Sequence, residues 1–377
     1  MVQVFVPKET RAGETRVAAT PETVKKMIAA GLSVRVEPDA GAASFISDQA
    51  FVDAGAEIGA DSADADMVLR VTAPAVDDVA RMKEASVLIA LLAPHQNLDV
   101  VAALRDRKLS ALAMELVPRI TRAQSMDALS SQASIAGYKA VLLAAVRLPK
   151  YFPLLMTAAG TIKPARVVVM GAGVAGLQAI ATAKRLGAVV EVSDIREVVK
   201  EQIESLGAKF IPLPQVDEKG EGEGGYARQM SEAYLAEQRA IVTGHVSNAD
   251  VVVCTALVPG KKAPVLVTRE MVEGMKTGSV IVDLAVEQGG NCELSRPGED
   301  VDHGGVTILG PANVPASMPV DGSQLYARNI WALIQPLVGE EGITIDLEDE
   351  VVDGALLTHD GEVRHARTRE QLEGGTP

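Results

Sequence analysis

The chain has 377 residues, of which 47% are hydrophobic and 23% are charged, the composition of a globular protein with a large core. Domains usually contain about 100–200 residues, so this length predicts two domains. The formal net charge of −14 disfavours nucleic acid as a partner, because the phosphate backbone would be repelled.

Targeting signals, membrane-spanning segments and disulfides are not predicted. Charged residues interrupt the N-terminal stretch early, unlike a signal peptide. Residues 140–162, the most apolar stretch, contain basic residues and prolines, so they do not predict a helix that crosses a membrane. Cys254 and Cys292 are too few for a disulfide framework, neither lies in a Cys-x-x-Cys motif, and no metal site is predicted. Cys254 is expected to be a buried small side chain in a reducing, cytoplasmic setting.

The N-terminal third of the chain predicts strands that alternate with helices, and therefore a parallel sheet covered by helices. Thr20 and Pro21 mark the start of the first helix, because threonine is a favoured N-cap and proline suits the first helical position. Gly31 marks the end of that helix. The strand patterns cover residues 2–6, 33–37, 66–70, 86–90 and 110–113.

The chain changes character at residues 119–132, which are polar and rich in serine, and a helix is predicted over residues 133–146. We interpret this region as a bridge between two lobes. A loop over residues 149–164 then leads into a second α/β unit. Its strand patterns cover residues 166–170, 189–194, 250–254, 280–284 and 306–309.

A glycine-rich turn, Gly171-Ala172-Gly173-Val174-Ala175-Gly176, directly follows an apolar strand and opens a helix predicted over residues 177–186. In this context the first glycine permits a tight turn, the second lets the backbone approach a pyrophosphate, and the third lets helix and strand pack closely. The helix N-terminus then favours the anionic phosphates of a dinucleotide. Such a pattern is common by itself, so an ordinary strand–helix turn is the alternative.

Asp194 ends the next strand, where its carboxylate can accept hydrogen bonds from both hydroxyls of the adenosine ribose. The same carboxylate would repel the 2′-phosphate of NADP, so the sequence favours NAD(H). Arg196 weakens this argument, because a nearby arginine could hold such a phosphate.

The elements and the glycine turn together predict an α/β fold of two Rossmann-like, doubly wound lobes separated by a cleft. The first lobe is expected to contain residues 1–130 and 321–377, and the second residues 131–320. Residues 321–338 predict a helix that returns to the first lobe, and His359-Asp360-Gly361-Glu362 predicts a hairpin. Residues 215–226, dense in glycine and acidic residues, predict an exposed, mobile loop.

An acid–base group beside the nicotinamide is needed by a dehydrogenase that moves a proton as well as a hydride. Of the five histidines, His95 alone follows a strand end where such a group could act. Hydride exchange between two nicotinamide rings transfers no proton at either carbon, and depends on positioning and exclusion of water. The lack of an evident base therefore favours hydride exchange. The remaining histidines lie in polar segments that we expect to be exposed: His245, His303, His359 and His365.

The chain resembles, along nearly its whole length, the NAD(H)-binding alpha component of the proton-translocating (Re/Si-specific) NAD(P) transhydrogenases; alanine dehydrogenase is a more distant relative. The motifs that carry the resemblance are Val6-Pro7-Lys8-Glu9, Glu14-Thr15-Arg16-Val17-Ala18, the turn at 171–176, Ala256-Leu257-Val258-Pro259-Gly260 and Val282-Asp283-Leu284-Ala285. Residues 118–127 are similar to the transhydrogenase version, not to that of alanine dehydrogenase. The chain also ends without membrane helices, as in transhydrogenases whose alpha polypeptide is split.

The resemblance implies roles for individual residues. Arg119 and Asp127 would orient the nicotinamide carboxamide with support from Ser130, and Gln124 would reach toward the nucleotide of a partner. Arg119, Gln124 and Asp127 are therefore the catalytic candidates. Tyr226, with Gly225, matches a mobile lid that closes over the nucleotide. The expected contacts along the adenosine and pyrophosphate half are Val174, Asp194, Arg196 and Leu257, besides Gly171, Gly173 and Gly176.

Departures from alanine dehydrogenase weaken the amino-acid dehydrogenase alternative. Those enzymes carry a substrate-binding lysine near the position of Thr72, a catalytic histidine where this chain has Leu92-Ala93, and an aspartate where it has Glu287. Arg16 is present here too, but one basic residue cannot both bind a keto acid and transfer the proton in its reaction.

Three functions therefore stay open at this point. In the first, the chain binds NADH as a homodimer, docks on membrane-embedded and NADP(H)-binding subunits at the inner face of the cytoplasmic membrane, and passes hydride to NADP⁺. In the second, it is a self-sufficient amino-acid dehydrogenase of the alanine type. In the third, it is a non-catalytic NAD(H) sensor.

Overall fold

The computed structural model describes residues 1–212, 214, 231–257, 262–339 and 342–374. Contacts divide this part of the chain into two compact units. The first contains residues 1–132 and the chain from 316 onward, and the second contains residues 133–315. The boundaries predicted from the sequence, after residues 130 and 320, lie two and five residues away from these.

The first unit begins with strands that alternate with helices. The strands are β1 (Gln3–Val6), β2 (Ser33–Val36), β3 (Glu57–Ile58), β4 (Met67–Thr72), β5 (Val87–Leu91) and β6 (Ser110–Ala113). The helices are α1 (Pro21–Ala29), α2 (Asp48–Asp53), α3 (Val76–Arg81) and α4 (Leu98–Asp106). Thr20 is the N-cap of α1 as predicted, although the local bond runs from its N–H to Thr23 Oγ1 at 2.9 Å.

A long helix, α5 (Ala128–Arg147), leads into the second unit. The strands that follow are β7 (Leu155–Thr157), β8 (Gly160–Ile162), β9 (Arg166–Met170), β10 (Val189–Ser193), β11 (Lys209–Phe210), β12 (Val251–Cys254), β13 (Val280–Asp283), β14 (Asp300–His303) and β15 (Val306–Leu309). The helices are α6 (Val174–Arg185), α7 (Lys200–Ser205), α8 (Glu232–Asn248) and α9 (Arg269–Glu273).

The chain then returns to the first unit. Its last elements are α10 (Pro319–Ile334), β16 (Val338–Gly339), β17 (Gly342–Ile343), α11 (Glu350–Ala355), β18 (Leu356–His359), β19 (Glu362–Val363) and α12 (Ala366–Leu372). The predicted hairpin is confirmed, since His359 pairs with Glu362 and both intervening residues have positive φ, as a type I′ turn requires.

Both large sheets have the doubly wound strand order, so the predicted α/β class is confirmed. The first sheet runs β3-β2-β1-β4-β5-β6, extended by β18 and β19. The second runs β11-β10-β9-β12-β13-β15-β14. The central strands are parallel, and β14, β18 and β19 pair antiparallel at the edges. All four residues of β12 are fully buried, which explains their unbroken apolar run.

Three local predictions were wrong. Helix α5 begins at Ala128 instead of 133, and α6 begins at Val174 instead of 177. The predicted loop over residues 149–164 contains the β7–β8 hairpin.

The stretch over residues 140–162 does not form one helix, because α5 ends at Arg147. Among the described residues, α5 is the one helix long and apolar enough to cross a membrane by length and composition alone. The core helix of a globular protein passes the same test, so this is weak support for a span.

Candidate functional site

The glycine turn lies where the strand order of the second sheet reverses. Strands β9 and β12 are adjacent and parallel, and Gly171 and Thr255 directly follow their carboxyl ends. Thr255 Oγ1 lies 3.0 Å from the carbonyl oxygen of Gly171 and 3.2 Å from that of Met170, so it ties the two strand ends together. In open α/β sheets, ligands bind outside the carboxyl ends of the strands at such a reversal.

The three glycines of the turn meet three different environments. Gly171 has a φ of +101°, and a Cβ there would lie 2.9 Å from Thr255 Oγ1. A Cβ on Gly176 would lie 2.0 Å from the carbonyl oxygen of Gly171, which only a glycine can avoid. A Cβ on Gly173 would meet nothing within 4 Å. The turn is therefore closed by its first and third glycines and leaves open space at the second.

The open space at Gly173 adjoins the N-terminus of α6, because Gly173 is the N-cap of that helix. The first N–H groups of a helix have no partner within it and favour an anion. Val174, the first helical residue, is 38% exposed. The turn therefore suits a pyrophosphate, which needs room beside the backbone and donors to bind it.

Gly137 of α5 packs against the same helix. A Cβ on Gly137 would lie 2.0 Å from the carbonyl oxygen of Ala175, so α5 touches the backbone of the first turn of α6. This contact fixes the position of the turn, and the sequence prediction missed it. The sequence gives little indication of this contact, because Gly137 is a lone glycine within an alanine-rich helix.

Asp194 is 5% exposed and braces the glycine turn. Its Oδ2 accepts a hydrogen bond of 2.6 Å from the N–H of Ala172, and its Oδ1 accepts one of 2.8 Å from the N–H of Arg196. The guanidinium of Arg196 donates to both oxygens, at 2.9 and 2.7 Å. The structure therefore brings Asp194 and Arg196 together as a bidentate ion pair beside the turn.

Asn291 braces the loop after β12, where Leu257 lies half-buried. The side chain of Asn291 is fully buried; its Oδ1 accepts from the N–H of Ala256 at 2.9 Å. Its Nδ2 donates to the carbonyl oxygens of Ala256 and Pro264, at 2.9 and 2.8 Å. One amide thus ties the backbone of Ala256 to that of Pro264. The sequence prediction missed Asn291, because no motif marks an asparagine that binds only backbone.

The predicted nicotinamide segment belongs to the first unit. Residues Thr121–Met126 form a 3₁₀ helix, anchored by the buried side chains of Ala123 and Met126. Arg119 and Gln124 are exposed. The two buried side chains hold the backbone of this helix, while the side chain of Gln124 faces solvent.

Asp127 and Ser130 lie together at the start of α5. One carboxylate oxygen of Asp127 accepts from the N–H of Ser130 at 2.8 Å, and the other accepts from its hydroxyl at 2.6 Å. This is the bond of a helix N-cap, which explains why α5 begins earlier than predicted. The structure brings together two of the residues that the resemblance assigned to the carboxamide.

Arg16 is 5% exposed, and its guanidinium donates three hydrogen bonds within the protein. Its Nε and Nη2 donate to the two carboxylate oxygens of Glu14, at 2.8 and 2.7 Å, and its Nη1 donates to Oε1 of Gln132 at 2.9 Å. In the same unit, Thr72 donates its hydroxyl to Glu9 at 2.6 Å. Burial raises the pKa of Glu9. These groups form internal contacts, not a free cationic pocket.

The histidine expectation was partly wrong. His95 is exposed and contacts Gln96. The other four are partly buried instead of exposed, each beside a polar partner: His245 with Glu191, His303 with Glu273, His359 with Ser110 and His365 with Thr368.

Both cysteines are buried, as expected of Cys254, and burial raises the pKa of each thiol. Within the described ranges, no group of three or more histidine, cysteine or acidic residues could hold a metal ion. Gly225, Tyr226 and the rest of the predicted mobile loop lie outside the described residues.

Comparison with known proteins places the chain in a family. The model of the alanine dehydrogenase/PNT N-terminal domain matches residues 5–136, and the model of the C-terminal domain matches residues 140–366. The chain therefore belongs to the alanine dehydrogenase/PNT family.

Within that family the chain is a homologue of the NAD(P) transhydrogenase alpha subunits. It is 50% identical over 376 residues to an NAD(P) transhydrogenase alpha-subunit polypeptide of Rhodospirillum rubrum, covering 97% of this chain and 98% of that protein. The structure of a transhydrogenase from Sinorhizobium meliloti matches with a TM-score of 0.87 and 45% identity, covering 96% of this chain and 99% of that one. Alanine dehydrogenase of Mycobacterium tuberculosis is 31% identical, covering 98% of this chain and 97% of that protein.

Proposed function

We propose that the chain is the NAD(H)-binding component of a proton-translocating NAD(P) transhydrogenase of the Re/Si-specific type. In this proposal it binds NADH and transfers hydride to NADP⁺ held by a partner subunit. The single observation that carries the proposal is the glycine turn at the reversal of the second sheet, in a chain 50% identical to a transhydrogenase alpha subunit over nearly its full length.

The turn supports the nucleotide site through its geometry. The space at Gly173 admits the pyrophosphate, and the N-terminus of α6 supplies donors to it. Asp194 receives the adenosine ribose, while Arg196, Val174 and Leu257 line the same half of the nucleotide. The acidic Asp194 favours NAD(H) over NADP(H), and its pair with Arg196 means that the arginine is not a free receptor for a 2′-phosphate.

The nicotinamide end is assigned to the loop before α5. Arg119 and Asp127 orient the carboxamide, which needs both a donor and an acceptor to fix its rotation. Ser130 supports Asp127, as their two hydrogen bonds allow. Gln124, exposed on its 3₁₀ helix, reaches toward the NADP(H) of the partner. Gly225 and Tyr226 act as the lid over the bound nucleotide.

Hydride transfer between two nicotinamide rings depends on how the rings are positioned and does not require acid–base catalysis. A hydride that passes between two nicotinamide rings carries no proton with it, so the protein holds the donor ring in place and excludes water. None of the five histidines lies within residues 119–130, the segment assigned to the nicotinamide.

The state of Arg16 disfavours the amino-acid dehydrogenase alternative. A keto acid would have to compete with Glu14 and Gln132 for a guanidinium that they already bind. Threonine at position 72, bound to Glu9, supplies no second cation. These positions therefore do not offer the positive charge that a carboxylate substrate requires.

The assembly follows from the same proposal. The chain acts as a homodimer and associates peripherally with membrane-embedded and NADP(H)-binding subunits on the cytoplasmic face of the membrane. Proton movement through the membrane subunits is coupled to the exchange of hydride.

One reconstitution tests the function. The purified chain is mixed with NADH and a partner domain loaded with an NADP⁺ analogue whose reduced form absorbs at its own wavelength. We expect reduction of the analogue that requires both proteins. Turnover with pyruvate and ammonia alone would identify an alanine-type dehydrogenase instead, and NADH binding without any turnover would identify a sensor.

A further inference from the structure

The loop that carries Gln124 is attached to helix α10 through one amide side chain. Asn329, in α10 and 7% exposed, donates from Nδ2 to the carbonyl oxygen of Ser125 at 2.8 Å. Ser125 directly follows Gln124 in the chain. The attachment therefore acts on the backbone next to the proposed catalytic side chain.

The same amide also holds the first turn of α5. Asn329 Oδ1 accepts from the hydroxyl of Ser131 at 2.7 Å. The two contacts fix the orientation of the amide, because a flipped Asn329 would set its oxygen against the carbonyl oxygen of Ser125. Asn329 thus bridges the end of the 3₁₀ helix and the start of α5, on either side of Asp127.

A continuous chain of hydrogen bonds leads from this bridge to a buried ion pair. Gln132 Nε2 donates to Ser131 Oγ at 3.2 Å and to the carbonyl oxygen of Gly322, also at 3.2 Å. Gln132 Oε1 accepts from Arg16, which is paired with Glu14. Hydrogen-bonded networks of buried and half-buried polar groups restrain their members.

Helix α10 provides a rigid base for the attachment. Tyr326, Ile330 and Leu333 of this helix are fully buried in the core of the first unit. The backbone of α10 at Asn329 is therefore held by the core of the first unit. Through the hydrogen bond of Asn329, the core also positions the loop at Ser125.

We infer that Asn329 is a positioning residue for hydride transfer, which holds Gln124 in place through the backbone of Ser125. The inference rests on the proposed function for the role of Gln124. The attachment of the loop itself can be measured without any nucleotide, so the two can fail separately.

The first test is amide hydrogen exchange in the full-length chain, comparing the wild type with Asn329→Asp. This change keeps the shape of the side chain but sets a carboxylate oxygen against the carbonyl of Ser125. A buried hydrogen bond replaced by an unpaired group predicts exchange in residues 120–127 that is faster by about tenfold. Arg328→Gln is the matched control, because Arg328 is the preceding residue of α10 and pairs at the surface with Glu22.

Ser131→Ala is the second variant, and it serves if Asn329→Asp fails to fold. It removes one partner of the amide and leaves the core intact, so we expect the same loop to exchange about threefold faster. Unchanged exchange of residues 120–127 in the folded variants would overturn the inference.

The second test measures hydride exchange with the NADP(H)-loaded partner. We expect Asn329→Asp to lower the rate at saturating NADH by about tenfold, with a smaller change in the dissociation constant of NADH. A loosened loop with an unaltered rate would refute the positioning role. If the wild type itself transfers no hydride, the proposed function fails, while faster exchange in the loop would still establish the attachment.

Discussion

The side chain of Gln124 is exposed, and neighbouring residues hold the backbone of its loop in place. Ala123 is buried beside it, and Ser125 is bound by Asn329. An exposed amide on such a support can be changed without disturbing the core. Its effect on the reaction can therefore be separated from any effect on folding.

We expect Gln124→Asn to slow hydride exchange by about tenfold or more, while NADH binding changes by less than about threefold. The variant keeps the amide group and shortens its reach by one methylene, so it should remove the proposed contact with the partner. The measurements are the exchange rate at saturating nucleotide and a fluorescence titration with NADH. Thr121→Ala, at an exposed position of the same 3₁₀ helix, is the control. Equal losses of rate and binding would contradict the bridging role.

Asp194 is a residue whose position was predictable and whose bonding was not. Its place at the end of the second strand follows from the spacing after the glycine turn. The bonds to Ala172 and Arg196 depend on how the turn folds back on the strand, and no spacing reveals them.

We expect Asp194→Asn to weaken NADH binding by about tenfold or more. The amide presents a donor where the N–H of Ala172 or the guanidinium of Arg196 needs an acceptor, and it leaves Arg196 without its counter-charge. A titration with NADH and a thermal unfolding curve measure the two consequences. Glu197→Gln, at an exposed position three residues on, should leave both unchanged. An affinity within about twofold of the wild type would exclude the carboxylate from the site.

At the level of elements, helix α6 depends on two close approaches of backbone. Gly176 lets its first turn pack on the carbonyl of Gly171, and Gly137 lets α5 pack on the carbonyl of Ala175. A Cβ on Gly173, by contrast, would touch nothing within 4 Å. Glycine thus allows close backbone packing at positions 137 and 176, whereas at position 173 it leaves open space.

A matched pair of variants separates these uses. We expect Gly173→Ala to fold with nearly unaltered stability but to bind NADH at least about tenfold more weakly, because its methyl group enters the space for the pyrophosphate. Gly176→Ala should lose both stability and binding, since its Cβ would lie 2.0 Å from a carbonyl oxygen. Thermal unfolding and NADH titration are the measurements. Full NADH affinity in Gly173→Ala would show that the nucleotide does not pass through this space.

The elements themselves were partly predictable from sequence. The buried central strands are visible as continuous aliphatic runs, and β9, β10, β12, β13 and β15 lie within about one residue of their predicted bounds. The hairpin β7–β8 was missed because its residues are exposed or half-buried and carry no alternation that distinguishes a strand from a loop. The start of α5 was missed because serines at 130 and 131 suggest a loop until the cap at Asp127 is known.

At the scale of the whole molecule, the two units share one strand order but not one chemistry. The first sheet also reverses between β1 and β4, yet β1 is followed by Pro7, Lys8 and Glu9 instead of a glycine turn. Glu9 is held there by the backbone of Val71 and by Thr72. The second unit has the turn and therefore the proposed nucleotide site. Function resides in these few residues and not in the topology they share.

This contrast also marks the limit of prediction for the site. The glycine turn, Asp194 and the segment over residues 119–130 could be named from motif and resemblance, because each has a pattern in sequence. Asn291, Asn329 and Gly137 could not, because their partners lie far away in the chain and most of them are backbone atoms. Their importance is visible only once the fold has brought the segments together.

The pair formed by Asp194 and Arg196 has a consequence for turnover. A carboxylate offers about four positions for hydrogen bonds, and here two N–H groups of the backbone and two of the guanidinium take them all. In the proposed nucleotide site, a ribose that binds Asp194 has to displace at least one of these donors, and the arginine is the one that can move away. In the proposed function, this exchange of hydrogen-bond partners at Asp194 accompanies each binding and release of the nucleotide.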